Sequence, residues 1–265
     1  MISSDPMPDT WLRRRGGKST RRNLPRTTLL ALLFACLPVP AIADQALVAV
    51  AANFSEAAHT LGSDFEKSTA HNITITTGST GKLYAQILHG APYDILLAAD
   101  QKRPEILETD GQALPGSRFT YAVGRLTLWS ASNDVGPDTL RSGNFRKLAI
   151  ANPDLAPYGA AAQATLHALG VADLVKPKIV MGENIAQAFA LVSTGNAELG
   201  FVALANVLNA AGSRWDIPSN LHSPIRQDAV LLKRAAANPA AKDFVLYLKG
   251  AKAKAIIESL GYTTQ

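Results

Sequence analysis

Four short stretches of the 265-residue chain carry residue types that can hold a small polar ligand. They are Ala52-Asn53-Phe54-Ser55-Glu56, Gly78-Ser79-Thr80-Gly81-Lys82, Pro157-Tyr158-Gly159 and Gly182-Glu183-Asn184-Ile185-Ala186-Gln187. The first, second and fourth each follow an apolar run of strand type directly, and the third follows one after a short turn; all four open a helical pattern. A helix start leaves backbone N–H donors without intrahelical acceptors and carries a partial positive charge of about half a unit. The chemistry on offer is donation to an anion, with Ser79 and Thr80 adding hydroxyls and Tyr158 a phenol. Taken singly, each turn also has what plain capping requires. Asn53 with Glu56 and Asn184 with Gln187 read as capping boxes, and Pro157 suits a first helical turn.

The elements that must position these turns alternate between strand and helix. Strands are expected at Leu47–Ala51, Ile73–Thr77, Asp94–Ala98, Leu148–Ala151, Lys178–Met181 and Leu199–Val202. Between them, Phe54, Ala57, Ala58, Leu61 and Phe65 recur at helical spacing, as do Ile185, Ala188, Phe189 and Val192, and Ala253, Ile256, Ile257 and Leu260. Such alternation predicts an α/β fold with mostly parallel sheets covered by helices. In such sheets the turns gather at the carboxyl edge of the strands, where ligands bind. Two extended runs break the rhythm, Phe119–Trp129 and Ile225–Leu232, and read as the two strands of a hinge between lobes. The expected division is a first lobe of residues 44–122 plus 231–265 and a second lobe of residues 123–230.

Residues 1–43 read as an export signal. A basic segment ending at Arg26 precedes the apolar run Leu29–Leu37, Pro38 and Pro40 end that run, and Ala41-Ile42-Ala43 has the small-x-small form of a cleavage site. Cleavage is expected after Ala43, delivering the mature chain to the periplasm. Thr20-Arg21-Arg22-Asn23-Leu24 loosely resembles a twin-arginine signal, and Leu33-Phe34-Ala35-Cys36 a poor lipoprotein box. The single cysteine, Cys36, lies in this segment, which leaves the remainder without thiols and suited to an oxidising compartment. The net charge of +5 also belongs there: seven of the 26 basic and two of the 21 acidic residues fall within 1–43, leaving nineteen of each beyond it. A neutral body lacks the electrostatic footprint of a nucleic-acid binder.

On these stretches the sequence resembles the periplasmic molybdate-binding proteins that feed ABC-type transporters, a branch of the type II periplasmic solute-binding proteins. The resemblance is carried in collinear order by AANFSEAA (51–58), TGSTGKLYAQI (77–87), GAPYDILLAADQKRPEIL (90–107), ALPGSRFTYAVGRLTLWSA (113–131), ANPDLAPYGAA (151–161), ENIAQA (183–188), ELGFVALANV (198–207) and LKGAKAKAIIESLGY (248–262). It implies a two-lobed fold of mixed, mostly parallel sheets with a two-strand hinge. It implies a molybdate or tungstate ligand held by Ala52 (backbone), Asn53, Ser79, Thr80, Tyr158 and Ile185 (backbone N–H), with no further cofactor and no direct metal-cation ligand. It also implies a monomer that delivers the anion to a membrane permease. Two positions depart from the family. Gly200-Phe201-Val202-Ala203 lacks the tyrosine that one branch carries there, which places this chain with the branch whose tyrosine stands in Pro-Tyr-Gly. Ala52 stands where that branch often has threonine, so one hydroxyl donor is missing.

An enzyme is the main rival class, and the residues argue against it. His59, His71, His89, His167 and His222 are scattered without metal-ligand spacing, there is no G-x-S-x-G elbow, and the turn at residues 78–82 lacks the spacing of a phosphate loop. Asp94 and Asp100 read as strand-end and capping residues. A cage of donors suits a fully deprotonated tetrahedral dianion and penalises one whose O–H would face no acceptor. Sulfate or phosphate is the alternative ligand, to be rejected on size or protonation.

Overall fold

A computed structural model describes residues 44–265; the expected leader, its cleavage site at Ala43 and Cys36 lie outside the described residues. Ten strands follow in chain order: β1 (Gln45–Ala51), β2 (Asn72–Gly78), β3 (Ile95–Leu97), β4 (Phe119–Gly124), β5 (Leu126–Ser130), β6 (Leu148–Ala151), β7 (Ile179–Gly182), β8 (Leu199–Ala203), β9 (Ser213–Asp216) and β10 (Ile225–Leu231). The helices are α1 (Ser55–Ser68), α2 (Thr80–Leu88), α3 (Lys102–Thr109), α4 (Pro137–Ser142), α5 (Pro157–Ala168), α6 (Ala172–Val175), α7 (Ile185–Ser193), α8 (Leu204–Val207), α9 (Pro239–Lys249) and α10 (Ala251–Ser259). No helix among the described residues is long and apolar enough to cross a membrane.

The strands form two five-stranded mixed sheets, ordered β2-β1-β3-β10-β4 and β7-β6-β8-β5-β9. In the first, β1 runs parallel to β2 and β3, and β10 is antiparallel to β3 and β4. In the second, β6 is parallel to β7 and β8, and β5 is antiparallel to β8 and β9. The α/β architecture is the one expected from the alternation of patterns, and the two-sheet arrangement the one the resemblance implies; four of the eight strand pairings are parallel and four antiparallel.

Burial on both faces explains the apolar strands. Along β1, Ala46, Val48 and Val50 pack on one face with Phe54, Leu61, Phe65 and Phe244, while Ala49 packs on the other with Leu83, Leu96 and Val230. Side chains two apart in a strand share a face, so each run must be apolar throughout when helices cover both sides. The second sheet has its own cluster around Leu128, Ile150, Tyr158, Leu166 and Phe201.

The connections between the sheets differ from the expected ones in a specific way. The run 119–129 is divided at Arg125: β4 belongs to the first sheet and β5 to the second, so the chain passes between sheets within one residue. Ile225–Leu231 does not cross at all. It pairs along its length with β3 and β4, and the return is made by residues 217–224, with Ile217 still bonded to Leu126 of the second sheet. All of β10 is thus a strand of the first sheet. Strand β9, short and only half-buried, carries no alternation that would have announced it.

Candidate functional site

The four turns singled out in the sequence leave the carboxyl ends of β1, β2, β6 and β7, which are parallel neighbours in their respective sheets. Each turn delivers a helix start toward the space between the sheets. Local packing allows the approach to be close. A Cβ on Gly159 would sit 2.2 Å from the Ala151 carbonyl oxygen, so only glycine lets the first turn of α5 lie against the end of β6.

All six residues expected at the site line one small cavity. Ala52, Asn53, Ser79 and Thr80 come from the first-sheet side and Tyr158 and Ile185 from the second. Ala51, Gly78, Ala99, Ala156, Pro157 and Asn184 complete the lining. No carboxylate, ammonium, guanidinium or imidazole is among these side chains. The side chains and helix starts offer neutral donors, which is the composition that stabilises a guest bearing its own negative charge.

The turns differ in how much of their polar chemistry is spent on capping. Ser79 does cap: its Oγ accepts from the Lys82 N–H at 3.4 Å. Asn184 does the same for α7, accepting from Gln187 N–H at 3.1 Å, while the Gln187 side chain accepts from Glu183 N–H at 2.7 Å. Asn53 does not. It lies within a short 3-10 turn, Ala52–Phe54, and neither that turn nor α1 has a side-chain cap, so the expected pairing with Glu56 is not formed. Its amide instead donates to Gln227 Oε1 at 2.9 Å, with a longer approach to Tyr262 Oη at 3.5 Å. Thr80 Oγ1 accepts from the Ala99 N–H at 3.0 Å, which leaves the hydroxyl hydrogen to be donated elsewhere. Ile185, the first residue of α7, has a backbone N–H with no intrahelical acceptor.

Tyr158 is 1% exposed, and its hydroxyl has no hydrogen-bond partner among the described residues. Burial raises its pKa well above the ordinary phenol value, and the neighbouring Tyr262 adds to the rise; the amides of Gln227 and Asn53 lie close enough to temper it without a hydrogen bond of normal geometry. Tyr121 is likewise raised well above that value, chiefly by burial. All three phenols of this cluster are therefore neutral near pH 7 and act as O–H groups.

Behind the cavity lies a buried polar network whose roles were not legible in the sequence. Tyr121 Oη lies 3.0 Å from Ala98 O and 3.1 Å from Gln227 Oε1, its single hydrogen shared between these two acceptors, and Tyr262 Oη donates to Asn53 O at 2.5 Å. Phe54 meets both rings edge-on. Tyr121 had read as a packing residue, and Gln227 gave no signal: it lies in the polar stretch Arg226-Gln227-Asp228 of β10, and only its burial in the fold sets it apart. Asp94, just before β3, accepts from Leu47 N–H of β1, and Asp100 accepts from Arg103 N–H in the first turn of α3.

The two sides are also joined around the cavity rim. Gly81 N–H donates to Leu155 O at 2.9 Å, Arg103 Nη2 to Asp154 O at 3.0 Å, and Lys82 Nζ pairs with Glu183 at 3.1 Å. Among the described residues no group of three or more His, Cys, Asp or Glu side chains could hold a metal ion.

Known proteins resemble this chain over nearly all of the described region. Residues 46–263 match the family model for bacterial extracellular solute-binding proteins. The molybdate-binding protein ModA of Azotobacter vinelandii is 48% identical over 244 residues, covering 89% of this chain and 97% of the relative. The ModA protein of Rhodobacter capsulatus is 44% identical, covering 90% and 95%. The solved structure of the Azotobacter vinelandii periplasmic molybdate-binding protein superposes with a TM-score of 0.80 at 42% identity, over 83% of this chain and 99% of that one. By sequence and by architecture, this chain belongs to the bacterial extracellular solute-binding proteins.

Proposed function

We propose that the chain is a periplasmic carrier that captures molybdate, and tungstate with it, and passes the anion to the membrane permease of an ABC transporter without chemistry. The observation that carries this reading is the cavity itself: Asn53, Thr80, Tyr158 and Ile185, from two sheets, converge on one small space whose polar side chains are neutral donors. The names of its relatives point the same way. Ser79, already committed to capping α2, contributes chiefly by fixing that helix start.

Specificity follows from the composition of the cage. A guest that keeps a proton presents an O–H to a wall of donors and loses the cost of one unsatisfied buried group, about 1–3 kcal/mol. Phosphate near neutral pH is penalised in this way. Sulfate passes the charge test and must be rejected by size, since a smaller tetrahedron cannot reach donors on both sides. Molybdate and tungstate, nearly equal in size, are expected to bind alike. The missing hydroxyl at Ala52 leaves the first turn to donate through Asn53 and backbone N–H groups.

The two sheets mark two lobes that draw together around the anion, because donors from both are needed to saturate four oxygens. The test is calorimetry of residues 44–265 as a monomer against molybdate, tungstate, sulfate and phosphate. Molybdate and tungstate should bind with similar, high affinity and the other two at least a hundredfold more weakly. Sulfate binding as tightly as molybdate would remove the specificity claim.

A further inference from the structure

Gln227 stands in the middle of β10, fully buried, where the register against β4 shifts between Gln227 and Asp228. Its amide oxygen is well used, accepting from Asn53 Nδ2 and from Tyr121 Oη. Its nitrogen is not: Nε2 has no hydrogen-bond partner among the described residues. A buried N–H left unpaired is costly, so its placement needs a compensating use. The nearest polar atom in the same situation is the Tyr158 hydroxyl. A Cβ on Gly124 would lie 2.0 Å from Tyr158 Oη and 2.7 Å from Gln227 Nε2, so the missing side chain at Gly124 leaves one space that both atoms share. A hydroxyl whose lone pairs face N–H donors must aim its single hydrogen elsewhere. Thr80 already shows the device: Ala99 N–H occupies its acceptor side and frees its hydrogen.

We propose that Gln227 is a positioning residue for the cavity. Its oxygen holds the Asn53 amide, and its nitrogen fills the acceptor side of Tyr158, so that the phenol hydrogen points at the bound oxyanion. One buried side chain of the first sheet thereby sets the donor geometry contributed by both lobes. This inference rests on the oxyanion reading of the cavity. Gln227 touches the donors and not the ligand, so its effect must travel through them.

A double-mutant cycle on residues 44–265 tests it, with molybdate titrated calorimetrically into the wild type, Gln227→Met, Tyr158→Phe and the double variant. Gln227→Met should weaken binding about tenfold in the wild-type background and less than threefold when Tyr158 is already Phe, the remainder being the Asn53 share. The tyrosine near-UV difference signal on ligand addition should shrink in Gln227→Met, a readout that a merely structural role would not move. Equal losses in both backgrounds would overturn the proposal. If Gln227→Met does not fold, Gln227→Leu, which removes the N–H without adding a charge or a new donor, is run through the same cycle and judged by the same comparison. The wild-type titration separates the two claims: no binding of any oxyanion would sink the functional reading, whereas tight binding with additive losses would sink only the role of Gln227.

Discussion

Replacing Tyr158 by Phe removes one oxygen and leaves the ring, which is packed in the core of the second sheet. Two consequences of opposite sign follow. In the free protein the hydroxyl hydrogen is buried without an acceptor among the described residues, so its removal takes away an unsatisfied donor; stability should stay level or rise by up to about 1 kcal/mol. For a chain of this size that corresponds to a melting temperature unchanged or raised by roughly 2–4 °C. In the bound protein the same atom is a donor to a charged oxygen, an interaction of about 1.5–3 kcal/mol, so the molybdate Kd should rise roughly 10- to 150-fold. Thermal melts without ligand and calorimetry with molybdate measure both. A core tyrosine with no ligand role would leave the affinity unchanged, and that result would refute the assignment.

Further expectations follow from neighbouring residues. Thr80→Ala removes a donor to the ligand and the acceptor of Ala99 N–H, so it should weaken molybdate binding by about 1–3 kcal/mol and also lower the melting temperature. Asn184→Ala deletes the cap of α7 and should cost about 1 kcal/mol in stability by denaturant titration while changing affinity far less than Thr80→Ala does. The buried phenols Tyr121 and Tyr158 have pKa values raised above those of the unfolded chain. Their share of stability is thus fully present below about pH 10 and is lost as pH rises through the folded values. Denaturant midpoints should show no tyrosine-linked slope between pH 6 and 9 and should fall above about pH 10; a fall between pH 7 and 9 attributable to tyrosinate absorbance would contradict the burial argument.

Much of this organisation was legible in residue order because it follows from local rules. Apolar runs followed by Ser, Asn or Pro at a helix start announce strand, turn and helix, and the parallel sheet then gathers the turns at one edge. Asn53, Thr80, Tyr158 and Ile185 were accessible to that reasoning. Its failures have physical causes as well. Asn53 read as a cap because caps depend on residue type, yet its amide is drawn to Gln227, more than 170 residues away, and no local pattern encodes that contact. The run 119–129 read as one strand because Arg125 breaks neither its length nor its β character; only pairing partners distinguish β4 from β5. The same holds for Ile225–Leu231, whose β character is compatible with either sheet until β3 and β4 claim it.

The passage from β4 to β5 through Arg125 bears on how the molecule can move. Arg125 O is tied to Leu204 N–H on the second-sheet side, so the outward link between the sheets is a single residue, while the return runs through residues 217–224. A tether of one residue resists translation and permits swivelling. Any separation of the two halves must then be an arc centred near Arg125, with Lys82 and Glu183 swept apart together with their helix starts. Distance probes placed at those two positions would register the whole stroke, and probes flanking residue 125 almost none of it.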